Sequence, residues 1–344
     1  MSQTLSSWRA RAALLGAALL AGVALVMLPG DAAGAAKSAS DGWSKPVTID
    51  RGNELTSVSC PSARFCMAVD AAGNAFVLDG TSWSRPQSVT PGNGLLDVSC
   101  ASATFCVATG GDSVSIYRGS SWVETGPFAS EGVSFSAVSC VSASFCAAMT
   151  LSPGATAGAF VAGVSIYNGA SWSKPRNIGI KATLIDDVSC TSSSFCVAVG
   201  NTGKFPGAAS IYNGASWSRP DVLNPREHPY GGGPLISVSC AGRTLCIAND
   251  SNPLAEHTFR YNGHRWSRPQ VIGTPNHFIL LTSCATAHFC MATTTESTAR
   301  RFNGTSWSSP SRQVARAELT SLSCASPKLC VAVGDFGVAV VYRG

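Results

Sequence analysis

Hydrophobic and polar positions repeat along the chain in short blocks, not in helical periods. A run such as Leu55-Thr-Ser-Val58-Ser-Cys60 is followed five residues later by Cys66-Met-Ala-Val69, a punctuated polar stretch, and then a Gly-x-x-Trp turn. The block recurs seven times, as in Val98-Ser-Cys100 and Val188-Ser-Cys190. Each copy predicts four short strands, here lettered A to D in order. Strand A is the Leu-x-Ser-Val-Ser-Cys run and strand B is Phe-Cys-x-Ala-Val. Strand C ends in Ile211-Tyr-Asn213-Gly214 or its equivalent, and strand D begins at Ser-Trp-Ser-Arg-Pro. Val, Ile, Phe, Tyr, Trp and Thr fill the runs, and Gly, Asn, Asp, Ser and Pro separate them, as strands and turns require. Alternation within the runs is weak and small residues are frequent, which suits sheets covered on both faces.

The repeat sets the fold class. The copies are spaced 39 to 50 residues apart, the range of four-strand propeller blades. The chain is therefore expected to be all-β, a seven-bladed β-propeller with four-stranded blades. Trp43 has no A to C strands before it, whereas Cys324/Cys330 is followed by B and C runs and then by Gly344. Bringing Gly344 to Gly42-Trp43 restores the Gly-x-x-Trp spacing, so the N-terminal strand is expected to complete the last blade and close the ring.

All 14 cysteines lie in seven C-x5-C pairs: Cys60/Cys66, Cys100/Cys106, Cys140/Cys146, Cys190/Cys196, Cys240/Cys246, Cys284/Cys290 and Cys324/Cys330. Each pair joins the end of strand A to the start of strand B, so the sulfurs are expected to meet as disulfides. Zinc sites use closer spacings and a third and fourth ligand, so no metal is expected here. No cofactor motif is present either: Gly231-Gly232-Gly233 does not lead into a helix.

The N-terminus points to an oxidising compartment. Arg9 and Arg11 precede an apolar run from Ala12 to Leu28, then Pro29, Gly30 and the small-residue site Ala33-Gly34-Ala35. Residues 1–36 are expected to be an export signal, or alternatively a retained anchor, with 37–41 a tether and 42–344 the propeller. The protein is thus expected to be bacterial, secreted or held at the cell surface, and monomeric, touching a membrane only through an uncleaved N-terminal segment.

Net charge is +5 and only 12% of residues are charged. Five units carry Trp-Ser-(Lys/Arg)-Pro, at Lys45, Arg85, Lys174, Arg219 and Arg268. On an outermost strand a cation and a proline protect an exposed edge. Without interleaved aromatic and basic residues, nucleic acid is not an expected partner.

Length varies only in the B–C and D–A connections, which a propeller places on one face. The long ones are Leu151 to Gly163, Gly200 to Ala209 and Asp221 to Leu235, with a polar stretch at Asn249 to His257. Loops on a rigid scaffold are where binding concentrates. The candidate ligand-binding residues are Lys204, Arg226, Glu227, His228, Tyr230, Glu256, His257, Asn276 and His277. No Gly-x-Ser-x-Gly elbow and no sequence-paired carboxylates are present, so no catalytic residue is assigned.

The units resemble those of sialidase-type, Asp-box propellers. They are closer to photosystem-assembly-factor-like propellers, through Val188-Ser-Cys190, Ala198-Val199-Gly200 and Asn213-Gly214-Ala-Ser216-Trp217. The Asp box is shifted: Tyr212 stands where its Asp belongs, and Asn213 and Asp79 fall one residue late. The resemblance implies the architecture and not an activity. The expected function is a binding or scaffold module presenting these loops to a protein or carbohydrate ligand at the cell envelope. The alternative is a sialidase-like glycoside hydrolase or lyase using Glu227 or Glu256.

Overall fold

A computed structural model describes residues 42–125, 132–154, 160–178, 180, 185–201, 207–223, 233–251, 257–272 and 279–344. Seven antiparallel sheets form the blades of a ring. In the first, strand A is Leu55–Ser62, B is Phe65–Asp70, C is Asn74–Leu78 and D is Gln87–Ser88, paired in that order. The A strands pack against one another around the centre, and Leu319–Ser326 of the seventh blade returns to Leu55–Ser62 of the first. The seventh blade takes its D strand, Val47–Thr48, from the other end of the chain, in register with Ala339 and Val338. The expected ring closure is therefore present. In the sixth blade strand D shrinks to the bridge between Phe302 and Trp307.

Packing follows from the composition of strand B. Phe105–Gly110 and Phe195–Asn201 are buried along their whole length, and their small Ala, Cys and Val side chains let adjacent blades approach closely. Each core is shared by two blades. Phe105, Val107 and Ile116 of the second blade pack on Phe135, Tyr167 and Trp172 of the third. Leu329 and Val331 of the seventh pack on Leu55 and Phe76 of the first. Residues Ser40–Gly344 form one compact unit.

The cysteine spacing is explained by one extra residue. Ser102 pairs with Phe105 across a two-residue turn, and a bulge at Ala101 then sets Cys100 opposite Cys106. The bulge recurs in the other blades, and all seven expected disulfides form. They are Cys60–Cys66, Cys100–Cys106, Cys140–Cys146, Cys190–Cys196, Cys240–Cys246, Cys284–Cys290 and Cys324–Cys330, with Cα–Cα distances of 3.9 to 4.1 Å. On strand B, Cys146, Cys196, Cys246, Cys290 and Cys330 are fully buried, as Cys66 and Cys106 are. These bridges are therefore staples inside the sheets. The same level of the blade carries Tyr117 opposite Cys106 and Trp122 opposite Tyr117. The rings of Tyr117 and Trp122 lie 5.3 Å apart, and those of Trp43 and Tyr342 lie 5.5 Å apart across the closure. Beyond this level five blades turn through Asp79, Asn168, Asn213, Asn262 or Asn303, whose side chain caps the loop. Asn213 Oδ1 accepts from the amides of Ala215 and Ser216. Amides of Ser82 and Thr81 hold the Asp79 carboxyl down to a pKa of about 2.

The inner edge of strand A would be an open row of backbone donors. It is closed by the serine before each first cysteine. Ser59 Oγ accepts from the Cys100 amide at 2.9 Å, Ser99 from Cys140 at 2.9 Å, Ser139 from Cys190 at 2.9 Å and Ser189 from Cys240 at 3.0 Å. Ser239 accepts from Cys284 at 2.8 Å, Ser283 from Cys324 at 2.9 Å and Ser323 from Cys60 at 2.9 Å. These seven bonds run once around the ring in one direction. A partial second tier lies two residues earlier. There Asp97 and Asp187 accept from the amides of Val138 and Val238 in the next blade, and Ser321 accepts from that of Val58.

The outer strand behaves differently. Ser84 Oγ accepts from the Val77 amide, and Ser173, Ser218 and Ser267 do the same for Ile166, Ile211 and Arg260. In every blade but the second, where Val123 follows Trp122, the serine after the tryptophan thus replaces one ladder bond where strand D peels away. Lys45, Arg85, Lys174, Arg219 and Arg268 then follow on the outer rim of their blades.

Candidate functional site

Antiparallel order within each blade separates two faces. The short A–B and C–D turns lie on one, the turn face. The B–C and D–A connections lie on the other, the loop face. Of the nine candidate residues, Lys204, Arg226, Glu227, His228, Tyr230, Glu256, Asn276 and His277 lie outside the described residues. His257 is described, and it is not presented to solvent. It heads strand C of the fifth blade, His257–Tyr261, and is only 3% exposed. Its Nδ1 lies 2.9 Å from Asp250 Oδ2, and its amide donates to Asp250 Oδ1 at 3.2 Å. The pair closes the B–C connection of its own blade. Asn249 beside it donates from Nδ2 to Thr282 Oγ1 of the sixth blade at 2.7 Å. His257 therefore acts as a structural member of the loop face, a role the stretch Asn249 to His257 does not reveal in the sequence.

The first blade builds the same corner with Asp70. Its buried carboxylate accepts from the Ala72 and Asn74 amides and from Asn74 Nδ2, at 2.7 to 2.9 Å. Burial nonetheless pushes its pKa above the usual carboxylate value. Among the described residues no cluster of three His, Cys, Asp or Glu side chains is set to hold a metal.

A concavity lies at the sixth and seventh blades. Val314, Ala315, Arg316 and Ala317 of the D–A connection, with Pro46, Val338 and Phe336, line an open depression of about 650 Å³. Phe336 is 77% exposed, high for a large apolar side chain. It also holds a left-handed backbone, φ 56° and ψ 26°, inside the turn Asp335–Gly337. Gly337 follows with φ +65°, and a Cβ there would fall on the Asp50 carbonyl. The Gly337 carbonyl in turn accepts from the Ile49 amide at 2.8 Å. A rigid corner thus holds an aromatic ring out toward solvent beside an apolar wall and the exposed Arg316. The sequence hint is a large aromatic between Asp335 and Gly337, in a turn that holds small or polar residues in the first, second and sixth blades. Glu318 and Asp335 stand close by. Burial raises both carboxyl pKa values, and Asp335 adds its charge to the effect on Glu318.

No protein-family model and no curated protein matches the chain. Solved structures do, at the level of fold. YCF48 bound to D1 peptide superposes with a TM-score of 0.66 at 12% identity, covering 88% of this chain and 97% of that one. YCF48 from Cyanidioschyzon merolae gives 0.63 at 13% identity, covering 88% and 98%. U3-55K gives 0.66 at 10% identity, covering 87% and 98%. At such identities the likeness establishes a shared seven-bladed β-propeller architecture, and the chain is a propeller of that class.

Proposed function

We propose that this chain is an exported binding propeller whose loop face carries a protein ligand, or a carbohydrate, at the cell envelope. The observation that carries the reading is the contrast between the two faces. Turn-face connections keep one length. Loop-face connections vary in length and, at Phe336, expose a rigidly held aromatic beside a depression. Apolar anchors on rigid corners are what protein interfaces use. Export is supported by the apolar run Ala12 to Leu28 and by seven disulfides, which persist in oxidising compartments. That solved propellers of this architecture include one bound to a peptide is in keeping with a protein ligand.

The test uses residues 36–344, made under oxidising conditions, on a peptide array and a glycan array. Two variants run beside the parent: Phe336→Ala, and Arg226, His228 and Tyr230 changed together to Ala. Binding that either variant loses supports the reading. Binding on neither array, or binding untouched by both variants, overturns it, and turnover of a bound glycan replaces it with a hydrolase or lyase.

A further inference from the structure

The turn face carries a one-sided charge. Its A–B turns hold Arg64, Arg243 and Lys328, and its C–D turns hold Arg118, Arg265 and Arg343, all exposed. The one acidic residue in the described turns of this face is Asp79, whose carboxylate caps its own turn. Acidic residues gather at the other end of the blades: Asp50, Glu54, Asp70, Asp112, Glu318 and Asp335 lie in or beside loop-face connections. Among the described residues no cation of the turn face is in an ion pair.

Three of the six are held in place by neutral oxygens of the neighbouring blade. Arg118 Nη2 donates to the Tyr167 hydroxyl at 3.1 Å, and Arg343 Nη2 donates to the Gly80 carbonyl at 2.7 Å. Arg243 Nη2 reaches the Ser194 carbonyl at 2.8 Å and its Oγ at 2.6 Å. These bonds orient the guanidinium groups without cancelling their charge. The five rim cations after the tryptophans extend the positive field up the outer wall.

A second, independent observation concerns the path of the chain. The described polypeptide begins on this same face, where Arg343 donates its amide to the Gly42 carbonyl at 2.7 Å and Trp43 bridges Tyr342. Only residues 29–41 separate Gly42 from the apolar run ending at Leu28. Thirteen residues reach at most about 45 Å.

We propose that the turn face docks on an anionic phospholipid bilayer. Short turns of equal length place these cations together on one face, which fits an extended surface of phosphate headgroups better than a single chain lying in a groove. Cations near such a surface add roughly equal increments of affinity. Retained as an anchor, the apolar run would raise the local concentration of membrane beside this face. The loop face then points away from the lipid, and none of its residues takes part.

The experiment is vesicle sedimentation with residues 36–344, which contain the compact unit Ser40–Gly344 and lack the apolar run. The probe is phosphatidylcholine vesicles with and without about 30 mol% phosphatidylglycerol. Binding is expected to phosphatidylglycerol vesicles alone, and to vanish once about 0.5 M salt shortens the screening length. Changing Arg64, Arg265 and Lys328, none of which bridges blades, to Gln weakens binding about 100-fold, at about fivefold per cation. The loop-face pair Arg51→Gln and Arg316→Gln leaves it unchanged. Equal binding to both vesicles, a triple variant that binds as the parent does, or binding to soluble polyphosphate without binding to vesicles would each overturn the proposal.

Discussion

Replacing Ser99 by Ala removes one hydroxyl from the ring of blade-to-blade bonds. The Cys140 amide loses its acceptor, 2.9 Å away. A buried donor left unpaired costs about 1–3 kcal/mol. Ser99 is only half-buried, at the open edge of an innermost strand, so water can partly replace it. The low end applies, about 1 kcal/mol, or a shift of ~2 °C in a domain of this size. A shift that small is ambiguous alone, so hydrogen exchange at the Cys140 amide is the deciding measurement. Exchange there should quicken about fivefold, while amides of the sixth blade keep their protection. Ser99→Thr retains a hydroxyl and should restore the parent rate. Ser120→Ala, on an exposed turn, is the matched control and should be neutral. If the Cys140 amide exchanges at the parent rate in Ser99→Ala, the hydroxyl contributes nothing and the ring of serines is incidental.

Other outcomes follow from the same structure. Replacing Cys100 and Cys106 together by Ser should cost about 2 kcal/mol, measured by denaturant titration, and leave the blade folded, because the bridge closes only a short loop. Trp266→Ala opens the contact with Tyr261, whose rings lie 5.3 Å apart, and should cost about 3 kcal/mol. Gly337→Ala forces a Cβ onto the Asp50 carbonyl at φ +65° and should destabilise by more than about 2 kcal/mol, read as a lowered Tm at ~2 °C per kcal/mol. Glu318 and Asp335 have folded pKa values raised above 4.5 and 3.8. The native state therefore holds their protons more tightly than the unfolded chain does. Their contribution to stability is greatest below pH 3.8 and falls as pH rises through the raised values. Glu318→Gln should accordingly stabilise at about pH 7 by a few tenths of a kcal/mol and lose that advantage near about pH 4, by thermal melts at both values.

The regular spacing of cysteine and tryptophan makes the sheets, their order and the closing strand legible, because strand pairing within a blade is local. The bulge opposite the second cysteine follows from the same five-residue gap. What the spacing cannot show is anything that joins one blade to another. Ser59 recurs as plainly as Cys60, yet its partner lies 41 residues away at Cys100 and is found only when the blades stack. The segregation of charge is hidden likewise, since Arg64, Arg118 and Lys328 are far apart in the chain and meet only as members of one face. His257 stands among polar residues and reads as a loop side chain, but Asp250 turns it inward. Phe336 escapes notice because its unit matches the repeat on both sides of it.

Each sulfur bridge spans six positions of sequence and stays inside one hairpin. No covalent cross-link therefore crosses from wedge to wedge, and none secures the junction where the two ends of the propeller meet. Oxidation can proceed hairpin by hairpin, with each thiol's correct mate the nearest one available. The circle itself is left to stacking, to hydrogen bonds between blades and to the pairing of Val47–Thr48 with the last blade, and a reductant that opened every bridge would loosen the wedges one at a time without cutting the hoop.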